Sequence, residues 1–469
     1  MSFIIYDITF LILFIIFVSI FLYNNKKNIK KEGPFFLYKT SWGIKLINYI
    51  GGKYKKTLKF LSYVSISLGY FLMATMMFLI IQTIYLYLTT NIATVVKAPP
   101  LMPLIPYFPR LFGVESLFPP FFFAYFIISI LIIATVHEFA HGIFARSYNI
   151  KIKSTGFAFL KYFPALFGAF VEQDEKQMNK ANRFEQKSIL SAGVFANTIT
   201  AILFYIIFFW FFTLAFTPSG IIFNDYQYSI VEISSISMIN GIQLNNFSQE
   251  NIANLINKTG FNEIKVDEKN YVGIKGFPVN NNEHIALYDD SPAINAKLNG
   301  AIIAINNEKI NSLDDFKYEL LRYSPGEKIT IKTKTDIEEN YEIVLGENPQ
   351  EKDLSFLGIA FIDRKRTGIT GKLFNAFSSF KKPNIYYEPK SDSSIFIKDL
   401  LWWIIVINIL VALFNMLPLG FLDGGRFFYL TILGITKSEK IAKKSFAVLT
   451  YFILFLFILL MIKWAFSFW

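Results

Sequence analysis

Residues 121–146 read FFFAYFIISILIIATVHEFAHGIFAR: almost wholly apolar as far as Ile133, then His137, Glu138 and His141 inside the same stretch. A segment this apolar is built for lipid, and an ionisable side chain at the centre of a membrane span costs roughly 2.5–3.5 kcal/mol on insertion scales. Three of them in five positions therefore point to a purpose. On a helix, His137 and His141 at i and i+4 stack on one face, about 6 Å apart. Two imidazoles so placed can bind one Zn²⁺, leaving room for a third protein ligand and a water. Glu138 stands beside the pair, where it can take a proton from water whose acidity the ion has raised. With Arg146 at the membrane boundary, the rise of 1.5 Å per residue puts His141 and His137 roughly 8 and 14 Å inside.

The whole chain agrees with a membrane reading. Of 469 residues 53% are hydrophobic, with 53 Phe, 25 Tyr and a mean hydropathy of +0.41, far from the usual soluble composition. Cysteine is absent, so any metal is held by His, Asp or Glu. The net charge of +11 could suggest nucleic acid, but the lysines cluster beside apolar spans, which argues against such a partner. Six segments are long enough to cross a bilayer: roughly 3–23, 60–88, 119–146, 190–216, 399–419 and 446–467. The first is expected to be a retained anchor rather than a cleaved signal. Ten lysines lie between Lys26 and Lys59, and further basic clusters follow spans three and five. The positive-inside rule then puts both termini outside and these loops in the cytoplasm. Spans three and five run the same way, so their C-terminal ends reach the same depth.

Residues 217–396 differ in kind: polar, Asn-rich and expected to form a soluble domain on the outer side. Ala301–Ile305 reads as a short strand. SLDDFKYELLRY (312–323) starts a helix with Ser312 as N-cap and Asp315 at the capping-box position. Lys328–Thr333 alternates like a half-buried strand. Residues 225–290 suggest no fold. His284, without metal-type spacing around it, is read as a surface residue, and the sequons at Asn246 and Asn257 are weak glycosylation signals.

The third ligand must come from elsewhere. NILVALFNMLPLGFLDGGRFF (408–428) closes span five and brings Asp423 to the depth of His137 and His141, with Pro418, Gly420, Gly424 and Gly425 loosening the backbone. H-E-x-x-H itself is an arrangement of zinc proteases. Together with Asn415-Met-Leu-Pro418-Leu-Gly420-Phe-Leu-Asp423-Gly424, it resembles the site-2 proteases, whose second motif is N-x-x-P-x-P-x-L-D-G. Here Gly420 replaces the second proline. Ser191-Ala-Gly193-Val194-Phe-Ala-Asn197 is similar to the family's A-G-P-x-x-N, with Val194 in place of proline.

The resemblance implies a polytopic α-helical membrane protein of about six transmembrane helices, with an inserted α+β, PDZ-like domain outside the cytoplasm. Its parts would be helices one and two (1–118), a first catalytic portion (119–216), the insert (217–396) and a second catalytic portion (397–469). It further implies Zn²⁺ held by His137, His141 and Asp423, and Glu138 as general acid and base. Asn415 and Asn197 would bind the substrate backbone or the oxyanion, unless they only join helices. GFAFLKYFPALFGAFVEQDE (156–175) would form a membrane-associated β-hairpin whose edge pairs with an unwound substrate, or else an aromatic interfacial loop. The implied partners are single-span membrane proteins, tethered regulators among them, within the bilayer of a multi-pass protein's own membrane. The insert would bind peptide or admit only substrates with short outer domains. Two other readings stay open: a Ste24-type zinc protease, which uses a glutamate as third ligand, and a non-enzymatic scaffold binding proteins through the insert.

Overall fold

The computed structural model describes residues 3–90, 98–243, 255, 262–276, 283–361, 368, 371–372, 375 and 378–466; Asn246 and Asn257 lie outside them. The chain divides into two compact units, Met1–Phe211 with Ile395–Trp469, and Phe212–Ser394.

Six helices among the described residues are long and apolar enough to cross a membrane. They are α1 (Phe3–Asn24), α3 (Lys55–Thr89), α4 (Phe123–Ser147), α5 (Arg183–Ala215), α6 (Asp392–Asn415) and α8 (Glu439–Phe466). The longest of the shorter helices beside them are α2 (Ile44–Lys53) and α7 (Asp423–Thr436). Where the helices outrun the apolar segments, polar first turns are the reason. Ahead of α5, Asn182 accepts from the Glu185 N–H at 2.9 Å while Glu185 accepts from the Asn182 N–H at 3.1 Å, a reciprocal cap that hydropathy does not see. Span five ends at Asn415 instead of 419, because Pro418 cannot continue it, and the chain starts afresh as α7.

The lysine-rich connection between α1 and α3 is more than a loop. It forms a hairpin, β1 (Ile29–Glu32) and β2 (Phe35–Thr40), followed by α2, whose Ile47 is fully buried. The segment after α4 forms β3 (Ile152–Leu160) and β4 (Phe167–Gln173), and the four strands make one antiparallel sheet in the order β1-β2-β3-β4. One face is apolar and packs Phe36, Tyr38, Phe157, Phe159 and Phe167 against Phe14, Val18 and Phe21 of α1. On the other face Lys39 joins the two hairpins by an ion pair of 2.5 Å with Glu172. The Lys39 hydrogen bond, with that of the Ser154 hydroxyl, holds the Glu172 carboxyl below the usual carboxylate range. β2 occupies one edge of the β3–β4 hairpin, so β4 is the outer strand at that end.

One buried carboxylate in α1 ties that helix to α4, the third span. Asp7 accepts from the Tyr107 hydroxyl at 2.6 Å and from the backbone N–H groups of Phe123 at 2.6 Å and Ala124 at 3.0 Å. It thus caps α4, whose own N-cap residue, Phe122, has no capping side chain. Replacing Asp7 by Ala is expected to cost about 2–3 kcal/mol, read as a lowered midpoint of thermal unfolding in detergent, with Asp7→Asn losing less.

The second unit holds two main sheets. Residues 225–290, unassigned from sequence, contribute a six-stranded antiparallel sheet in the order Tyr228–Glu232, His284–Asp289, Lys269–Gly276, Ile264–Val266, Ile236–Ile239, Ile242–Gln243. Its core is Ile236, Ile239, Ile264, Tyr271, Ile285 and Leu287. Three of these strands have four residues or fewer, too few for alternation to show. The second sheet runs Glu338–Val344, Lys328–Lys334, Ala301–Ile305, Phe216–Ile221, Ile385–Pro389. The helix Leu313–Leu320 starts on Ser312, whose hydroxyl accepts from the Asp315 N–H at 3.1 Å. The strands that enter and leave the unit pair with each other, Ile221 opposite Ile385, which brings the two ends of the insert together.

Candidate metal centre

α4 carries His137, Glu138 and His141, and their ligand atoms lie within 4.8 Å of one another. The two histidines turn their Nε2 atoms together, 3.1 Å apart. α7 begins at Asp423, and its first residue brings a carboxylate oxygen to 3.3 Å from Nε2 of His137 and 3.2 Å from Nε2 of His141. The placement has a local cause. Met416–Leu422 folds back on the first turn of α7 so tightly that a Cβ at Gly424 would meet the Met416 backbone at 2.3 Å. Arg426, three residues on, then ties α7 to the short helix Glu175–Lys180 and to the start of α5, donating to Asn179 and Gln186 at 2.8 Å each.

The other side of each imidazole is held by α5. Nδ1 of His141 lies 2.7 Å from the carbonyl of Ile189, which can only accept, so this nitrogen carries the proton and Nε2 presents its lone pair. Nδ1 of His137 lies 3.1 Å from Nδ2 of Asn197, a fully buried residue whose Oδ1 has no partner among the described residues. Both rings are buried, each with 7% exposure. Between them α5 passes as bare backbone at Gly193, where a Cβ would stand 2.6 Å from either Nε2. Glu138 stands beside the pair, and its Oε2 accepts the N–H of Val171 in β4 at 3.1 Å.

Three potential ligand atoms lie mutually 3.1–3.3 Å apart, an arrangement that one cation among them would satisfy. The edges suit zinc: a tetrahedron with bonds of about 2.0–2.1 Å has edges of roughly 3.3 Å. The donor set of two imidazoles and a carboxylate suits it too. The residues therefore fit a zinc ion.

Of the other residues singled out from sequence, Asn197 meets His137 rather than an open cleft. Asn415 ends α6, partly buried, with no side-chain hydrogen bond among the described residues. Asn408 is fully buried and donates to the Ile404 carbonyl at 2.7 Å. Sequence reading gave no role to Gly193, Ile189 or Val171. Only the first carried a signal, a glycine inside an otherwise continuous helix, where it needs a packing reason.

The sequence matches the family model of Peptidase family M50 over residues 125–461, more than half of the chain. It is also similar to an uncharacterized protein of Methanocaldococcus jannaschii, 26% identical over 299 residues, which cover 64% of this chain and 54% of that relative. The chain thus spans about half the length of the curated relative it matches.

Proposed function

The chain belongs to peptidase family M50, a family of zinc metalloproteases, and on that premise we propose that it hydrolyses peptide bonds within or near the membrane-spanning segments of other membrane proteins. The observation that carries this is the meeting of the Asp423 carboxylate with both Nε2 atoms beside Glu138.

In this reading His137, His141 and Asp423 hold the ion. Bound zinc would supply Lewis acidity, polarising the scissile carbonyl and lowering the pKa of water. Glu138 takes the proton from the attacking water and returns it to the leaving amine. The Val171 N–H fixes one carboxylate oxygen and leaves the other for that proton. Ile189 sets the tautomer of His141. Asn197 does the same for His137: a half-turn of its amide lays the unpartnered oxygen on Nδ1–H, and Nε2 is then free to bind metal. We read Asn197 as a positioning residue first, and keep Asn415 for the substrate backbone or the oxyanion. Asn197→Leu is expected to weaken zinc about 10–100-fold in a chelator competition, and Asn197→Asp, which restores an acceptor, to recover most of it.

The substrate enters as an extended strand, since the hydrogen bonds of a helix shield its peptide bonds. β4 offers the edge. Leu160 N–H donates to Leu166 O across the hairpin, so Phe167 and Ala169 turn their backbone groups outwards, away from β3, while the outward N–H of the next such residue, Val171, is taken by Glu138. The expected substrates are single-span proteins, among them tethered regulators already trimmed outside. The lysine-rich connections lie in the cytoplasm, the catalytic groups within the bilayer towards that side, and the insert outside as a PDZ-like domain that binds peptide or excludes bulky outer domains. An aspartate as third ligand favours this reading over a Ste24-type protease.

The test is cleavage by the zinc-loaded protein, purified in detergent, of a panel of single-span fusion proteins, with product masses locating each cut. Cuts inside or beside the spanning segments support the proposal. Intact substrates throughout, or cuts confined to soluble regions, contradict it.

A further inference from the structure

A cavity of about 280 Å³ lies between α1, α4 and the apolar face of the sheet, and Glu138 is part of its wall. Its lining is aromatic or uncharged except for that one acid. The strand register explains its floor. Tyr38, Phe157 and Ala169 stand opposite one another on β2, β3 and β4, so their side chains form one row on the same face. Phe21 and Trp42 add to its aromatic lining. Along β4 the residues on this face are Phe167, Ala169 and Val171, so the outer strand is low at Ala169 alone.

A peptide strand laid on the outer edge of β4 sends every second side chain to this same face. One of them, opposite or diagonal to Ala169, reaches over the alanine into the cavity, because diagonal neighbours lie within reach of an aromatic side chain. The space is sufficient: an apolar cavity of about 150 Å³ takes up benzene. We propose that this cavity receives one large apolar side chain of the substrate, Leu-sized or aromatic, beside the scissile bond, with Ala169 as the threshold that admits it. The proposal rests on the protease reading above and names the substrate feature that reading leaves open. A lipid acyl chain shares the chemistry and is the competing occupant.

Two measurements test it. In the first, the zinc-loaded full chain cleaves single-span substrates that differ at one position near the cut. A large apolar residue is expected at one fixed distance from every cut. In Ala169→Phe, with zinc content checked, kcat/KM for an aromatic relative to an alanine at that position is expected to fall about tenfold or more. No positional preference, or an unchanged ratio in Ala169→Phe, overturns the pocket while leaving the protease reading intact.

The second needs no turnover. Glu138→Gln protein is irradiated with an apolar peptide carrying one benzophenone side chain, or with a lipid carrying a photoreactive acyl chain. Peptide adducts on Tyr38, Trp42 or Phe157 that vanish in Ala169→Phe support the pocket. Adducts from the lipid alone, or peptide adducts elsewhere, overturn it. Adducts in the pocket without cleavage of any substrate by the wild type would sink the protease reading and spare the binding site.

Discussion

Gly193→Ala is expected to strip the protein of zinc. The added methyl would stand 2.5 Å from Cε1 of His137 and 2.6 Å from both Nε2 atoms, closer than carbon atoms in proteins approach. Neither ring can retreat, because Ile189 and Asn197 hold their far sides. Nor can α5 move out freely. Its Ser188 and Ser191 hydroxyls bond Ser62 and Ser65 of α3 at 2.6 and 2.7 Å, a close helix contact of small residues. Overpacking of such a site costs about 1–3 kcal/mol, and here it falls on the atoms proposed to bind metal, so affinity should drop by up to about a hundredfold. Metal analysis after dialysis reads this directly. Gly52→Ala is the control, since nothing lies within 4 Å of a Cβ there, and it should keep its zinc.

Glu138→Gln should give the opposite pattern, with zinc kept and cleavage lost. The amide is nearly isosteric, and its oxygen can still accept the Val171 N–H, so the local geometry survives. It cannot accept a proton from water. A positioned general base is worth roughly 10²–10⁴ in rate, so single-turnover cleavage should fall by that factor. Zinc content and the thermal midpoint should stay close to wild type. The same variant separates an enzyme from a scaffold: a protein that acts only by binding through its insert would keep its cellular phenotype despite the Glu138→Gln change.

What the sequence could announce depended on the scale of the signal. The six long helices were legible because twenty apolar residues in a row have few other uses. The H-E-x-x-H pair was legible because helical periodicity alone puts His137 and His141 on one face. Asp423 was legible through its motif, but its setting was not. It opens the separate helix α7 instead of lying in unwound chain, because Pro418 ends α6 and Gly424 lets the return loop touch the new helix. The hairpin after α4 was foreseen in part. That its inner edge would be taken by β2, from a loop that looked only basic, was not, for strand partnership 115 residues apart leaves no local trace. Gly193 was seen only as part of a motif and Ile189 not at all: one acts by having no side chain, the other through its carbonyl, and a sequence names side chains.

Every role assigned above depends on His137, His141 and Asp423 sharing one ion. X-ray absorption at the zinc edge of the purified protein, paired with metal content of wild type and Asp423→Ala, tests this most directly. The predicted result is one zinc per chain in a shell of nitrogen and oxygen at about 2.0–2.1 Å, with outer scattering from two imidazoles, and loss of most zinc in Asp423→Ala. Wild-type protein that takes up no zinc, or an absorption spectrum unchanged in Asp423→Ala, would contradict the account.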